Sequence, residues 1–462
     1  MISFDSIDIV IVLLYFLIII SIGIFASRKS NGSSESYLLS GRSVGLFLFV
    51  LTNVATWYGG ILGVGEFTYR YGLLSWFTQG FPYYIFAILF ALFFAKKIRT
   101  ASLFTIPDKI EETYDRTASL ISAFLIFILV SPAPYLFMIG SLISIVFGID
   151  LLPSLLIGVL VSSVYLFKGG YKANIFTDAF SFFTMFLGFI IAVVISVSNY
   201  GGLEYLDSNL PETHLQFTGG APPAFIFVWF LIALWTFTDP GFHQRCYSAK
   251  TGSIAVKGII ISVAFWALFD FLTTTLGLFS RAILGEIDNP VLAFPLLAEK
   301  IMGPGVKGIF YAALFATILS TLNSFLFLSA TTFGRDFAQK LKPGSSESEL
   351  NKFTKVGLIV SAVISVLLAY YFESVVQIWY TIGSICIPGI ILLIFGAYYP
   401  KLKVTNKIAN IEIVGATGTS LIWFFIREGL EEGNSFSVIE PMIVGVAAAV
   451  IIHTVGLLFA RK

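Results

Sequence analysis

LTNVATWYGGILGVGEF (residues 51–67) and WTFTDPGFHQR (residues 235–245) are two apolar stretches that each carry the means to stop a helix in mid-course. In the first, Asn53 and Thr56 sit inside a hydrophobic run, and Gly59, Gly60, Gly63 and Gly65 follow. In the second, Pro240 lacks a backbone donor and collides with the preceding turn, while Gly241 tolerates almost any dihedral. An unwound turn in an apolar interior frees carbonyls that only a ligand, an ion or water satisfies. Small residues also serve close helix contacts, so the glycines alone fit either role. Thr238, Asp239, Pro240 and Gly241 together favour an interruption with a function, because an aspartate at depth needs a partner.

Both stretches lie in a chain whose solvent is lipid. Of 462 residues, 57% are hydrophobic and 12% charged, about half the roughly 25% charged residues of a soluble domain. Mean hydropathy is +0.90. The short polar loops could not cover 48 phenylalanines, which excludes a water-soluble fold. A net charge of +1 gives no sign of a nucleic-acid partner. Cys246 and Cys386 fall on different predicted helices without metal-like spacing and read as free thiols. Asp5 and Asp8, with no Lys or Arg, precede the first apolar run. That is unlike the cationic start of a cleaved signal, so the run is expected to be retained.

A helix needs about 20 apolar residues to cross the hydrocarbon core. Such runs lie near 7–27, 43–66, 72–95, 118–148, 149–167, 174–199, 222–247, 254–284, 304–339, 353–372, 373–399, 410–427 and 438–460. The expectation is an all-α integral membrane protein of about thirteen transmembrane helices, with Pro132 and Pro134 kinking or breaking the fourth. With the N-terminus outside, all but five of the 28 Lys and Arg fall on inner segments, the exceptions being Arg70, Arg281, Lys300, Lys307 and Arg427. A missed helix would invert every later loop and scramble that bias. The chain is expected in the plasma membrane with a cytoplasmic C-terminus and lipid as its surroundings. The acidic residues of the outer loops near 201–221 and 285–303 read as solvated, and 342–352 (KPGSSESELNK) as a linker.

With the first span set aside, spans two to six and seven to eleven make two blocks of five. An odd number forces the second block to run upside down, and inverted repeats are a transporter architecture. The two interrupted helices open the two blocks. The expected organisation is 1–42 for the first helix and a cytoplasmic loop, 43–221 and 222–400 for the repeats, and 401–462 for two C-terminal helices.

Within residues 308–336 of the ninth span, Thr317, Ser320, Thr321 and Ser324 recur at i, i+3, i+4 and i+7 and share one face, with Asn323 at its margin. Hydroxyl oxygens joined by carbonyls from a broken neighbour match the preference of hard cations for oxygen, and Na+ is the natural candidate. The alternative is that each hydroxyl bonds back to its own helix. In NIFTDAFSFF (residues 174–183), Asp178 lies about a turn inside the sixth span. There a carboxylate either meets a cation or sits favourably at a helix N-terminus.

SYLLSGRSVG (36–45), TIPDKIEETYDR (105–116), GGYKANIFTD (169–178), HQRCYSAK (243–250), ATILSTLNS (316–324) and SICIPGIILL (384–393) occur in this order. In them the chain resembles the sodium:solute symporters, which include bacterial proline, pantothenate, sugar and sialic acid carriers and the animal sodium–glucose transporters. The resemblance implies a 5+5 core of the amino-acid-transporter kind. It implies a shared sodium site of backbone carbonyls at Leu51 and Val54 with Thr317, Ser320 and Thr321, and Asn53 as a polar neighbour. In some members a second sodium is held by the span-six aspartate, and the matching residues here are Asp178, Ser320, Asn323 and Ser324. The chain departs from the family with Asn323 in place of the usual hydroxyl, with Ser181 where glutamine is frequent, and with DPG where relatives keep asparagine or glutamine. It has no arginine in the fourth span, which sialic acid carriers use for the substrate carboxylate, and this argues against that substrate.

The expected activity is sodium-coupled symport of a small organic solute by alternating access. The cavity is expected to be walled by Asn53, Thr56, Tyr58, Gln79, Trp235, Asp239 and Tyr380. With no Lys or Arg expected at midspan depth, a neutral or zwitterionic solute such as a sugar, polyol, amino acid or vitamin is favoured. A passive channel or uniporter is the alternative. An intramembrane enzyme is not expected, since His214, His243 and His453 are scattered with no nucleophile and base pair. Nothing in the sequence speaks to oligomeric state.

Overall fold

The computed structural model describes residues 2–28, 33–342, 344–371, 375–430, 436 and 439–460. Lys29, Arg461 and Lys462, counted among the inner cations, and Pro343 of the linker lie outside the described residues.

Backbone groups in lipid must pair within their own segment, and the described chain is accordingly helical, its β pairing confined to a single bridge, Val44 to Ala249. Among the described residues, eleven helices are long and apolar enough to cross a membrane. Two crossings escape that count. The second span is divided into Leu46–Ala55 and Ile61–Tyr71, each too short alone. Leu151–Tyr200, at 50 residues, would be about 75 Å long if straight, against a hydrocarbon core of about 30 Å. It turns at Gly170, whose φ of 54° suits glycine, and where an added Cβ would sit 2.4 Å from the Tyr37 carbonyl oxygen. Its two sides are the fifth and sixth spans. The others are Ser6–Ser27, Leu74–Ala101, Arg116–Phe147, Pro223–Ser248, Gly252–Leu284, Val306–Gln339, Glu347–Tyr371, Tyr380–Tyr398, Asn406–Glu428 and Pro441–Phe459. The prolines at 132 and 134 kink the fourth span between Arg116–Leu129 and Ala133–Phe147 without dividing it into two crossings.

The ninth span is the centre of the bundle. Its apolar window is 89% buried, against 28% for the first, twelfth and thirteenth. Every residue from 310 to 324 is buried, so the hydroxyl stripe has no lipid-facing option. The sixth and first spans pack along it. Cys246 and Cys386 are buried free thiols.

One end of the bundle is tied shut by backbone and guanidinium bonds. Val44 N donates to the Ser248 carbonyl at 3.1 Å and Lys250 N to the Val44 carbonyl at 2.9 Å. Arg42 reaches the carbonyls of Tyr247, Ser102 and Leu103 at 3.2, 2.9 and 3.1 Å, and Arg99 Nε that of Ala249 at 2.5 Å. These bonds join the entry to span two, the exit of span seven and the exit of span three.

Candidate functional site

The second span leaves its helix after Ala55 and resumes at Ile61. The ninth span presses on the interruption: Thr321 Oγ1 donates to the Thr56 carbonyl at 2.9 Å. A side chain at Gly59 would bring its Cβ within 2.3 Å of Thr321 Cβ, so only a residue without one lets the turn approach so closely. Leu51 and Val54 are both buried on the helix leading to the break. Val54 differs from expectation, because its carbonyl accepts from Trp57 N at 3.2 Å and is not an orphan. A carbonyl has two lone pairs, and the second remains for a cation.

Thr317, Ser320, Thr321, Asn323 and Ser324 are all buried. Three of the four hydroxyls engage spans two and six. Besides Thr321, Ser320 Oγ donates to Asp178 Oδ1 at 3.0 Å, and Ser324 Oγ accepts from Asn174 Nδ2 at 2.8 Å. Thr317 instead donates back to the Leu314 carbonyl at 2.7 Å, the local bond open to any helical threonine. Asn323 gives its amide to the Tyr165 hydroxyl, and its Oδ1 has no partner among the described residues.

Asp178 is fully buried. Its Oδ2 accepts from the Thr52 hydroxyl and from Asn174 Nδ2 at 3.2 Å. It lies about two turns past the bend at Gly170 where the sixth span begins, beyond the first turn in which a carboxylate caps a helix or meets its dipole. Donors from spans two, six and nine converge on one carboxylate. A hydroxyl that spends its proton on a carboxylate keeps its lone pairs, so the cluster offers anionic and neutral oxygens together, the chemistry hard cations take.

In the seventh span Asp239 is extended, with φ −70° and ψ 114°. Pro240 then opens the helix Pro240–Ser248, at a position where its missing N–H is harmless. It starts a helix rather than ruining one. Asp239 Oδ1 caps that helix by accepting from Phe242 N at 3.1 Å.

Arg245 corrects the sequence reading. It was placed on an inner segment, with no cation expected at midspan depth, yet it is only 4% exposed. Its side chain turns inward because its acceptors lie at the two breaks: Nη1 donates to the Gly241 carbonyl at 3.0 Å and Nη2 to Thr56 Oγ1. Thr56 Oγ1 passes the connection to the Thr52 carbonyl at 2.7 Å. The preference for a neutral or zwitterionic solute loses the support it drew from the lack of such a cation.

Beside the breaks lies a cavity of about 190 Å³, on the side away from the tied end, toward the start of span three. Thr56, Tyr58, Gln79, Trp235, Asp239 and Tyr380 line it. Asn53 does not belong to its wall: it is buried, and its Nδ2 has no partner among the described residues. The helix before the break turns that position away from the cavity. Trp57, Trp76, Trp229 and Asp270 join the lining, and none was singled out from sequence. Asp270 had a signal, since a carboxylate within the apolar run 254–284 is expected to face a cavity or a partner; it accepts from the Tyr84 hydroxyl. The tryptophans had none, because an aromatic in a span packs against lipid as readily as against a ligand.

The sodium:solute symporter family model matches residues 37–405. The chain is 26% identical to the sodium/glucose cotransporter of Vibrio parahaemolyticus, over 91% of this chain and 85% of that one. It is 25% identical to high-affinity choline transporter 1 of Caenorhabditis elegans, over 88% and 76%. Sodium/proline symporter 2 of Staphylococcus saprophyticus is 23% identical over 96% and 91%. Among solved structures, a substrate-bound, outward-open sodium-coupled sialic acid symporter superposes with a TM-score of 0.85 over 99% of this chain and 98% of its own, at 16% identity. The nucleobase-cation symporter Mhp1 superposes at 0.57 over 94% and 96%, at 15% identity. At such identities these likenesses speak for the fold, an all-helical transporter architecture with paired five-helix blocks. With the family model covering most of its length, the chain belongs to the sodium:solute symporter family.

Proposed function

We propose that this sodium-coupled symporter imports a small organic solute across the plasma membrane by alternating access, with its N-terminus outside and its C-terminus in the cytoplasm. The observation that carries the proposal is the meeting of the ninth-span hydroxyls with the broken second span and with Asp178. Sodium takes the carbonyls of Leu51 and Val54 with the hydroxyls of Thr317, Ser320 and Thr321. If the cycle carries a second sodium, we assign it to Asp178, Ser320, Asn323 and Ser324.

In this orientation the tied end is cytoplasmic and the cavity faces outward. Coupling follows from shared atoms. Thr321 holds the Thr56 carbonyl, while Thr56 and Tyr58 also wall the cavity. Ordering that turn around sodium therefore orders two groups that meet the solute, and the linkage is reciprocal. Couplings of this kind are worth about 1–3 kcal/mol, a rise in solute affinity of roughly 5- to 150-fold. Movement to the inward-facing state then breaks the Val44, Arg42 and Arg99 bonds of the tied end.

The test is uptake by vesicles reconstituted with the full chain, using a panel of sugars, polyols, amino acids, vitamins and ammonium compounds, with and without an inward sodium gradient. Sodium-driven accumulation above equilibrium supports symport. Flux that only equilibrates and ignores sodium would instead establish the uniporter or channel alternative.

A further inference from the structure

We propose that the solute carries an organic ammonium group, received by the carboxylates of Asp239 and Asp270 and by the indole and phenol rings around them. This rests on the cavity being the solute site and goes further by naming the charge and class of the solute.

Asp239 and Asp270 line the same cavity, and no Lys, Arg or His is among its described lining residues. They come from different spans and are oriented by neutral donors. Asp239 Oδ1 accepts from Phe242 N. Asp270 Oδ2 accepts from the Tyr84 hydroxyl, which itself accepts from Trp76 Nε1 at 3.2 Å. Arg245 approaches Asp239 around Gly241, where an added Cβ would stand 2.8 Å from Asp239 Oδ1 and 2.9 Å from Arg245 Nη1. Its bonds go to Gly241 and Thr56, and one guanidinium cannot balance two carboxylates on separate spans.

The rest of the wall is largely aromatic. Trp57 meets Tyr83 edge-on with centroids 4.9 Å apart, and Trp229 lies 6.0 Å from Tyr380; all four rings line the cavity. Ring faces attract a cation, most strongly where water is excluded, and a cation also offsets the cost of holding carboxylates in an apolar setting. A sugar can hydrogen-bond to the carboxylates and pack on the rings, but it brings no positive charge to balance two carboxylates. An organic ammonium compound, such as an amino alcohol or a betaine, meets the carboxylates and the ring faces together.

The test titrates the tryptophan fluorescence of the purified full chain, at fixed sodium, with choline, ethanolamine, glycine betaine, glucose and 3,3-dimethylbutan-1-ol, the neutral carbon isostere of choline. An ammonium compound is expected to bind at least tenfold tighter than the isostere. Asp270→Asn should bring that ratio close to one while the sodium titration keeps its midpoint. Asp239→Asn, which keeps the capping oxygen, should lower the ratio as well and serves if the first variant fails to fold. Equal binding of choline and its isostere, or tighter binding of glucose than of every ammonium compound, would overturn the proposal. So would an Asp270→Asn variant that shifts the sodium midpoint and leaves the ratio intact, because the carboxylates would then serve the ion. Sodium-driven vesicle uptake of a neutral sugar alone would overturn this inference and spare the symport reading. A charge preference in binding with uptake that ignores sodium would do the reverse.

Discussion

Replacing Gly59 by alanine should part the interrupted second span from the ninth and weaken sodium coupling while leaving the chain folded. The added Cβ would lie 2.3, 2.4 and 2.6 Å from Thr321 Cβ, Oγ1 and Cγ2. Non-bonded carbons rest about 3.5–4.0 Å apart, so the two elements must separate by more than about 1 Å. The hydrogen bond from Thr321 Oγ1 to the Thr56 carbonyl, now 2.9 Å, then stretches past the limit of roughly 3.5 Å. Overpacking of this kind costs about 1–3 kcal/mol, and the lost bond about 1 kcal/mol more. If about 1.4 kcal/mol of this falls on sodium binding, the sodium concentration for half-maximal uptake rises about tenfold. Sodium titration of vesicle uptake and thermal melting in detergent measure the two consequences separately. Adding Thr321→Gly relieves the clash and should recover part of the melting temperature without the sodium response, since the hydroxyl is gone. A Gly59→Ala protein with the original sodium midpoint and melting temperature would refute the close packing of turn on helix.

Four further outcomes follow from the same contacts. Joint replacement of Ser320 and Thr321 by alanine should abolish the sodium stimulation of uptake, and unchanged sodium dependence would discredit the assigned ligands. Asp178→Asn keeps only one of the two acceptor oxygens that serve Thr52, Asn174 and Ser320, so one of those bonds must reverse or be lost and thermal melting should show a loss of up to about 3 kcal/mol. Arg245→Lys loses the forked geometry that spans Gly241 and Thr56, and transport should fall at least tenfold with expression preserved, as read by uptake per mole of reconstituted protein. In the loop outside the spans, burial holds the His214 imidazole below its ordinary pKa of 6.5, with Nε2 3.1 Å from the Tyr69 carbonyl. The neutral form is the one the fold favours, so packing of residues 211–221 is intact above pH 6.5 and weakens as pH falls through 6.5 toward the lowered folded value. Hydrogen exchange should show faster exchange at Leu73, whose N–H donates to the His214 carbonyl at 2.8 Å, and His214→Gln should remove that pH dependence.

The fold was largely legible because its signals are local. Runs of about 20 apolar residues, the proline and glycines at the breaks, and the 3.6-residue spacing of Thr317, Ser320, Thr321 and Ser324 are all properties of contiguous sequence. The hydroxyl face could be read because a ninth span buried on every side must turn any polar stripe toward a neighbour. The cavity wall was legible in part. Residues at or next to the breaks, such as Thr56, Tyr58, Trp235 and Asp239, were found by proximity to a recognisable interruption. Asn53 was grouped with them by the same proximity, yet the helix before the break points it elsewhere.

By itself the sequence determined that the chain lives in lipid, roughly which stretches cross it, which two are interrupted, and that a row of alcohols runs along the ninth. Tertiary structure alone decided that Arg245 folds back to Thr56, that Asp178 gathers Thr52 and Ser320, and that Asp270 shares a cavity with Asp239. Hydropathy and periodicity constrain each helix along its axis. The rotation of one helix against another is set by packing between residues such as Thr56 and Arg245, 189 positions apart, and no local pattern records it.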